Sequence, residues 1–282
     1  MKKIKIISDS TCDLSQDLIN KHDIEIIPLY VNFGEETYLD GVDLTVSQMY
    51  DLVSKKNILP KTAAPSPGAF VDAFKKYLDK GYEIIYMGIG SKFSATFSSA
   101  NVAKQTLESD DIYLVDSLNL SSGTGLLILK AAKFIEEGLS AKEIKERLEV
   151  IVPKVRSQFV IDTLEYLYKG GRLNALSAFV GGMLRIKPII KVREGLMAVG
   201  KKGRGTMKNG IDLMLKELFQ EKDSIDHDFM MITHSLADES SAYIKEQLKN
   251  KVEVKNLYDT KAGCVISSHC GKGTIGVLYI LK

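Results

Sequence analysis

Apolar and polar positions along the chain follow two periods, one typical of strands and one typical of helices. Short apolar runs predict strands at residues 4–7, 24–31, 83–87 and 112–117. Apolar residues at helical spacing predict helices at residues 14–21, 68–78, 94–107 and 126–137. The alternation of strand and helix up to about residue 153 implies right-handed crossovers and a mostly parallel sheet.

The pattern changes in the second half of the chain. A strand at residues 157–161 and a helix at 163–168 precede an apolar segment at 173–184 and a hairpin around 193–195. The elements predicted after it are a basic loop at 201–205, a helix at 207–219, a strand at 229–233, a helix at 238–248 and a strand at 252–257. A length of 282 residues is typical of about two domains.

Charge and cysteine content exclude several classes of protein. The chain has 38 basic and 36 acidic residues. This near balance gives no strong positive potential that would attract nucleic acids or acidic membranes. Three cysteines at irregular spacing argue against a secreted disulfide framework. The sequence contains no signal peptide and no run as long as a membrane-spanning helix, so we expect a cytoplasmic protein without stable membrane insertion.

The segment from Tyr86 to Ser99 is the first candidate for binding chemistry. A strand there runs into a turn of small residues and then into a helix, which is the arrangement of an anion site. Ser91, Ser94 and Thr96 add hydroxyls that donate hydrogen bonds without adding charge. A simpler interpretation is that Ser94 only caps the helix.

Four further positions are open to both a functional and a structural interpretation. The polar residues 8–13 follow a strand, where open α/β sheets bind ligands, or else Ser10, Thr11 or Asp13 caps the next helix. Thr62 lies in a proline-stiffened segment, which either fixes its hydroxyl or merely connects two elements.

The other two positions are later in the chain. His269 lies in a predicted turn of small residues, where an imidazole can bind a ligand, move a proton or simply cap the backbone. Arg172 follows the paired glycines Gly170 and Gly171, which suggest a helix end, and can reach an anion or a partner.

Several known motifs are absent from the sequence. Gly88 and Gly90 are followed by Phe93 where a dinucleotide fingerprint has its third glycine, and the segment around Lys272 does not fit a P-loop. Cys264, His269 and Cys270 match no zinc spacing, so we predict no metal site. No Gly-x-Ser-x-Gly elbow is present, but a Ser94–His269 dyad without an orienting third residue stays open.

Seven segments together resemble one protein family. They are residues 8–13, 62–68, 91–97, 115–117, 170–173, 186–188 and the turn around His269. Their order is similar to that in the DegV family, which includes the fatty-acid-binding subunits of bacterial fatty acid kinase. The resemblance covers essentially the whole chain. Ala95 departs from it where a glycine is usual, and Gly90 and Cys270 replace commoner hydroxyl residues.

The resemblance implies a fold, a ligand and a partner. It implies an α/β protein of two domains, residues 1–155 with a mostly parallel sheet and flanking helices, and residues 156–282 with a mixed α/β layer that carries most of an acyl tunnel. One long-chain fatty acid, and no cofactor, is expected between them. Thr62, Ser94 and His269 match the residues that bind its carboxylate. Arg172 and Arg204 resemble positions that face an ATP-dependent fatty acid kinase.

Apolar residues of the second domain are candidates for the acyl tunnel, although an ordinary core position is the simpler interpretation of each one taken singly. They are Phe159, Ile161, Leu164, Leu167, Phe179, Met183, Leu184 and Ile189. A carboxylate buried beside them needs several donors, because desolvation otherwise raises its pKa and neutralises it.

Three hypotheses about function follow from these observations. The leading hypothesis is a fatty-acid carrier that presents its ligand to a kinase, which phosphorylates the carboxylate, while the carrier itself catalyses nothing. The second is an acyl hydrolase or acyltransferase with Ser94 as nucleophile. The third is a lipid-sensing module that works without a kinase.

Overall fold

A computed structural model describes residues 2–172 and 186–282. The strands are β1 (Ile4–Asp9), β2 (Glu25–Ile27), β3 (Tyr30–Phe33), β4 (Glu36–Leu39), β5 (Lys61–Ala63), β6 (Glu83–Gly88), β7 (Ile112–Asp116), β8 (Val155–Val160), β9 (Ile186–Arg193), β10 (Leu196–Arg204), β11 (Ile225–His234), β12 (Asn256–Lys261) and β13 (Ile275–Leu281). The α-helices are α1 (Gln16–Lys21), α2 (Val46–Lys56), α3 (Pro67–Leu78), α4 (Thr96–Leu107), α5 (Ser122–Glu136), α6 (Ala141–Ile151), α7 (Glu165–Lys169), α8 (Met207–Glu221), α9 (Asp238–Leu248) and α10 (Cys264–Cys270).

The first half of the chain forms the parallel sheet that the sequence predicts. Its strand order is β2-β1-β6-β7, and every neighbouring pair is parallel. Successive side chains of β6 point to opposite faces, so Tyr86 packs with α3 and α4 while Ile85 and Met87 pack with α5. Because β6 and β7 are parallel, the loops that follow them leave the same edge of the sheet.

The single strand predicted at residues 24–31 is wrong, because the chain forms two strands there in two different sheets. β2 ends at Ile27 and joins the parallel sheet, whereas β3 begins at Tyr30 and pairs antiparallel with β4 and β5. Pro28 lies at the break, where it has no N–H to continue a ladder. The small sheet β4-β3-β5 carries Thr62 on β5.

The second half of the chain forms a six-stranded mixed sheet of order β10-β9-β8-β13-β11-β12. The hairpin predicted around residues 193–195 is confirmed, with Glu194 and Gly195 at positive φ. The basic loop predicted at 201–205 is wrong, since β10 continues through a bulge to Arg204. The strand predicted at 252–257 is also misplaced, because β12 begins at Asn256 and pairs with β11 up to Lys261.

Helix α5 packs between the two large sheets. Residues 126–129 are all buried, and they share one core with Ile85 of β6 and with Met231 and Leu278 of β11 and β13. A helix that is apolar on every side requires such burial on every side. The domain boundary between residues 155 and 156 stays a prediction; it falls at the start of β8, where the mixed sheet begins.

Capping residues determine where several helices begin. Thr45 and Ser140 form capping boxes at the starts of α2 and α6, with Gln48 and Glu143 as their partners. Helix α1, however, begins at Gln16 and is capped by Ser15, so the alternative in which Ser10, Thr11 or Asp13 caps it is wrong. Residues Ser10–Cys12 form a separate 3₁₀ turn, which leaves the side chains of this segment available for distant partners.

Candidate functional site

A cavity lies where the loops after β6 and β7 face the mixed sheet, β5 and α10. Its atom-free space, open mouth included, is about 950 Å³. Apolar side chains make up most of the wall, among them Leu29, Ile89, Phe93, Leu120, Phe159, Leu167, Met197, Val265, Ile266 and Leu278. The wall of this cavity is therefore suited to the apolar part of a ligand.

Thr62 and His269 meet in the wall of this cavity. His269 lies in the last turn of α10, so the turn predicted around it is wrong. Its Nε2 atom is 2.9 Å from Oγ1 of Thr62. If Nε2 carries the imidazole proton, it donates to the Thr62 hydroxyl, whose own proton is then free for a ligand.

Ser94 lines the same cavity just before α4. Its Oγ atom is 2.8 Å from Oγ1 of the fully buried Thr96 and accepts a hydrogen bond from the Thr96 backbone N–H at 3.3 Å. Ala95, rather than Ser94, occupies the N-cap position of the helix. When the Thr96 hydroxyl donates to Ser94, the Ser94 proton is free for a ligand, as at Thr62.

His269 is neutral at physiological pH. Burial, with a smaller contribution from the charge of Arg172, lowers the pKa of His269 to about 4. Its Nδ1 atom is buried and has no hydrogen-bond partner within the described part of the chain. Arg172 itself is exposed, lines the cavity and donates from one guanidinium nitrogen to the Gly170 carbonyl at 2.9 Å. The wall thus combines neutral donors with one positive charge near the solvent.

The tunnel candidates fall into three groups. Phe159 and Leu167 line the cavity, and Ile161 and Leu164 belong to the apolar cluster packed behind them. The assignment of Ile189 is wrong, because it packs under α8 on the opposite face of the mixed sheet, where it pairs with Val160 and not with Phe159. Phe179, Met183 and Leu184 lie outside the described residues.

Three further expectations concern Ser91, the Ser94–His269 dyad and Arg204. Ser91 is exposed and donates to Asp116, so it is not a cavity donor. His269 bonds Thr62 while Ser94 bonds Thr96, so these contacts do not form the Ser94–His269 dyad. Arg204 is exposed at the end of β10 and is not among the residues that line the cavity.

The three departures from the family pattern have different surroundings. A Cβ atom at Gly90 would lie 2.8 Å from the Asn119 backbone nitrogen, so this backbone has no room for a side chain there. Ala95 is exposed with an ordinary φ of −72°, which requires no glycine. Cys270 is buried and lines the cavity.

Gly170 is a site residue that the sequence interpretation missed. Gly171, at a φ of +70°, ends α7 as predicted, but Gly170 has an ordinary φ and packs against the imidazole. A Cβ atom at Gly170 would lie 2.3 Å from Nδ1 of His269. No local sequence signal reveals this contact, since it joins two segments far apart in the chain.

Replacing Gly170 with alanine should push the imidazole of His269 away from Thr62, because the added methyl group and Nδ1 cannot both fit. We expect the nitrogen-15 NMR signals of this imidazole to lose the signature of a hydrogen bond at Nε2. Gly171→Ala is the matched control, since it strains a positive-φ residue but meets no atom within 4 Å. Unchanged imidazole signals in Gly170→Ala would contradict this packing.

Two classes of feature are not found in the part of the chain that the structure describes. None of its helices has both the length and the apolar character needed to cross a bilayer. In residues 2–172 and 186–282, no group of three or more histidine, cysteine or acidic side chains is arranged to hold a metal ion.

Comparisons with known proteins identify the family of the chain. A family model described as "Uncharacterised protein, DegV family" matches residues 3–282. A DegV domain-containing protein from Clostridium acetobutylicum is 38% identical over 286 residues, which cover 100% of both chains.

Solved structures provide the same match at the level of the fold. A DegV family protein from Thermus thermophilus, described with fatty acid binding, superposes with a TM-score of 0.92 at 28% identity over 99% of this chain and 100% of that one. A stearic acid-binding protein from Eubacterium ventriosum gives 0.88 at 29% identity over 100% and 99% of the two chains. The chain therefore belongs to the DegV family.

Proposed function

We propose that this protein binds one long-chain fatty acid, with its carboxylate at Thr62, Ser94 and His269 and its acyl chain along the apolar wall. The observation that carries the proposal is that the hydroxyls of Thr62 and Ser94 and the neutral imidazole of His269 all lie in the wall of one largely apolar cavity. The fatty-acid binding described for structurally similar relatives supports it.

The electrostatics of the cavity favour an acidic head group. A carboxylate that leaves water needs hydrogen-bond donors, or it takes up a proton instead. Thr62 and Ser94 each have a partner behind them that can donate, which leaves their own protons for the ligand. The charge of Arg172 adds attraction for an anion at the exposed side.

The apolar wall of the cavity suits the acyl chain of the proposed ligand. Each buried methylene contributes about 0.8 kcal/mol, so a chain of about sixteen methylenes gains roughly 13 kcal/mol before the costs of ordering are subtracted. Polar contacts at the head group then determine orientation more than total affinity. An elongated amphiphile with one acidic end fits a cavity in which polar contacts orient the head group and apolar contacts provide most of the affinity.

Organic extraction of the purified protein, followed by mass spectrometry, should release about one fatty acid per chain. The delipidated protein should then take up added fatty acid but bind the alcohol of equal chain length more weakly, since the alcohol lacks the charged acceptor. The alcohol is the matched control for the head group. Absence of both a released lipid and uptake of added fatty acid would overturn the proposal.

We further propose that the bound carboxylate is presented to an ATP-dependent kinase in the cytoplasm, and that the protein catalyses no reaction alone. Neutral donors leave a carboxylate oxygen able to attack a phosphoryl group. The exposure of Arg172 at the border of the cavity supports its assignment to contact with such a partner. Arg204 is exposed as well, at the end of β10.

Arg172→Ala should slow ATP-dependent formation of acyl phosphate at least about tenfold while fatty-acid affinity changes less than about threefold, because exposed charges act mainly on encounter with a partner. Lys169→Ala is the control, as Lys169 is exposed nearby but pairs with Glu165. Equal rates for the two variants would contradict a role of Arg172 at the kinase. No acyl phosphate with any fatty acid kinase would favour a lipid-sensing module.

A further inference from the structure

Asp40 connects the small sheet that carries Thr62 with the helix that carries His269, the two residues that meet in the cavity wall. Its backbone N–H donates to the Leu29 carbonyl at 2.9 Å, next to β3, which pairs with the strand that carries Thr62. Its Oδ1 atom accepts from the backbone N–H of Cys264 at 2.7 Å, at the first residue of the helix that carries His269. One buried residue therefore joins the Thr62 sheet, through its backbone N–H, to the His269 helix, through its carboxylate.

Ser10 completes this connection. Its hydroxyl donates to Oδ2 of Asp40 at 2.9 Å and accepts from the backbone N–H of Leu29 at 3.1 Å. Leu29 itself lines the cavity. Both carboxylate oxygens of Asp40 are thus occupied by fixed donors, so the carboxylate has one orientation.

Asp13 binds the start of the same helix at the neighbouring residue. Its Oδ1 atom accepts from the backbone N–H of Gly263 at 2.8 Å, and Oδ2 accepts from the hydroxyl of Ser121, a cavity residue at the start of α5. The two carboxylates thus accept from consecutive backbone N–H groups at the start of α10. Burial raises the pKa of both Asp13 and Asp40, so keeping them there has an energetic cost.

We propose that Asp40 and Asp13 are positioning residues, which hold His269 against Thr62 and thereby set the affinity for the ligand head group. The proposal rests on the proposed function for the identity of that ligand. It assigns a role to Ser10 and Asp13, two residues of the polar segment 8–13. Neither of them lines the cavity, and neither caps α1. The chain thus uses side chains distant from the ligand to preorganise the donors that contact it.

The test compares Asp40→Ala with the conservative Asp40→Asn in delipidated protein. Alanine removes the acceptor for Cys264, so we expect the imidazole NMR signature of the His269–Thr62 hydrogen bond to disappear and fatty-acid Kd to rise at least about tenfold. Asparagine retains an acceptor oxygen, so it should restore the signature and return Kd to within about threefold of wild type.

Asp9→Ala is the matched control. Asp9 is also a buried acid, but it accepts from Thr11, Ile89 and Tyr86, none of which lies on β5 or α10. It should lower the unfolding temperature while changing Kd less than about threefold. Equal losses of affinity in Asp9→Ala and Asp40→Ala at matched stability, or an intact imidazole signature in Asp40→Ala, would overturn the proposal.

Two further arms keep the result decisive. If Asp40→Ala does not fold, Ser10→Ala removes the Oδ2 contact of Asp40 and the acceptor for the Leu29 N–H, but it leaves the contact of Oδ1 with Cys264. An unchanged imidazole signature and Kd in that variant would count against positioning. If the wild type binds no fatty acid, the proposed function fails. The imidazole signature in the free protein still decides whether Asp40 positions His269.

Discussion

Replacing Ser94 with alanine should weaken fatty-acid binding by roughly 1–3 kcal/mol, which is about a 5- to 150-fold rise in Kd. The change removes a donor to a charged acceptor. It also leaves the buried Thr96 hydroxyl without the Ser94 oxygen that lies 2.8 Å away. Titration of the delipidated variant with a fatty acid, followed by native mass spectrometry or calorimetry, measures the effect.

Ser98→Ala is the control for this substitution. Ser98 is exposed on the same helix, so its replacement should leave both the affinity and the free energy of unfolding within about 0.5 kcal/mol of wild type. If Ser94→Ala bound fatty acid as tightly as Ser98→Ala, the carboxylate would have to bind elsewhere in the cavity. The proposed head-group site would then be wrong.

Local patterns in the sequence predicted most of the secondary structure. The hairpin near Gly195 and the capping boxes at Thr45 and Ser140 follow from interactions between residues close in the chain, and the alternation of strands and helices indicated the parallel sheet. The errors also have a local cause. Apolar residues continue across Pro28, so periodicity alone joined two strands that belong to different sheets.

The site was harder to predict, because it depends on contacts between distant segments. The family resemblance named Thr62, Ser94 and His269, but no spacing shows that β5 and α10 bring two of them within 2.9 Å. Side-chain alternation explains the error at Ile189: its neighbours in sequence face the cavity side while it faces α8. Predicting that face requires the register of β8 with β9.

Lowering the pH from 7 to 4 should cost the free protein about 2–3 kcal/mol of stability through His269 alone. Burial holds the pKa of His269 at about 4 in the folded chain, against an ordinary value of about 6.5 in the unfolded chain. Well above pH 6.5 His269 is neutral in both the folded and the unfolded chain, so its titration contributes nothing to the pH dependence of stability. Between pH 6.5 and 4 only the unfolded chain binds the proton, so unfolding becomes more favourable.

The difference in unfolding free energy between wild type and His269→Gln isolates this effect, because the buried carboxyls Asp9, Asp13 and Asp40 are common to both proteins. That difference should fall across pH 6.5 to 4 and stay constant from pH 7 to 9. A difference independent of pH would contradict a buried neutral imidazole. A bound carboxylate beside His269 should raise its pKa. Loading the protein with fatty acid should therefore shrink the pH dependence, whereas a head group placed elsewhere would leave it unchanged.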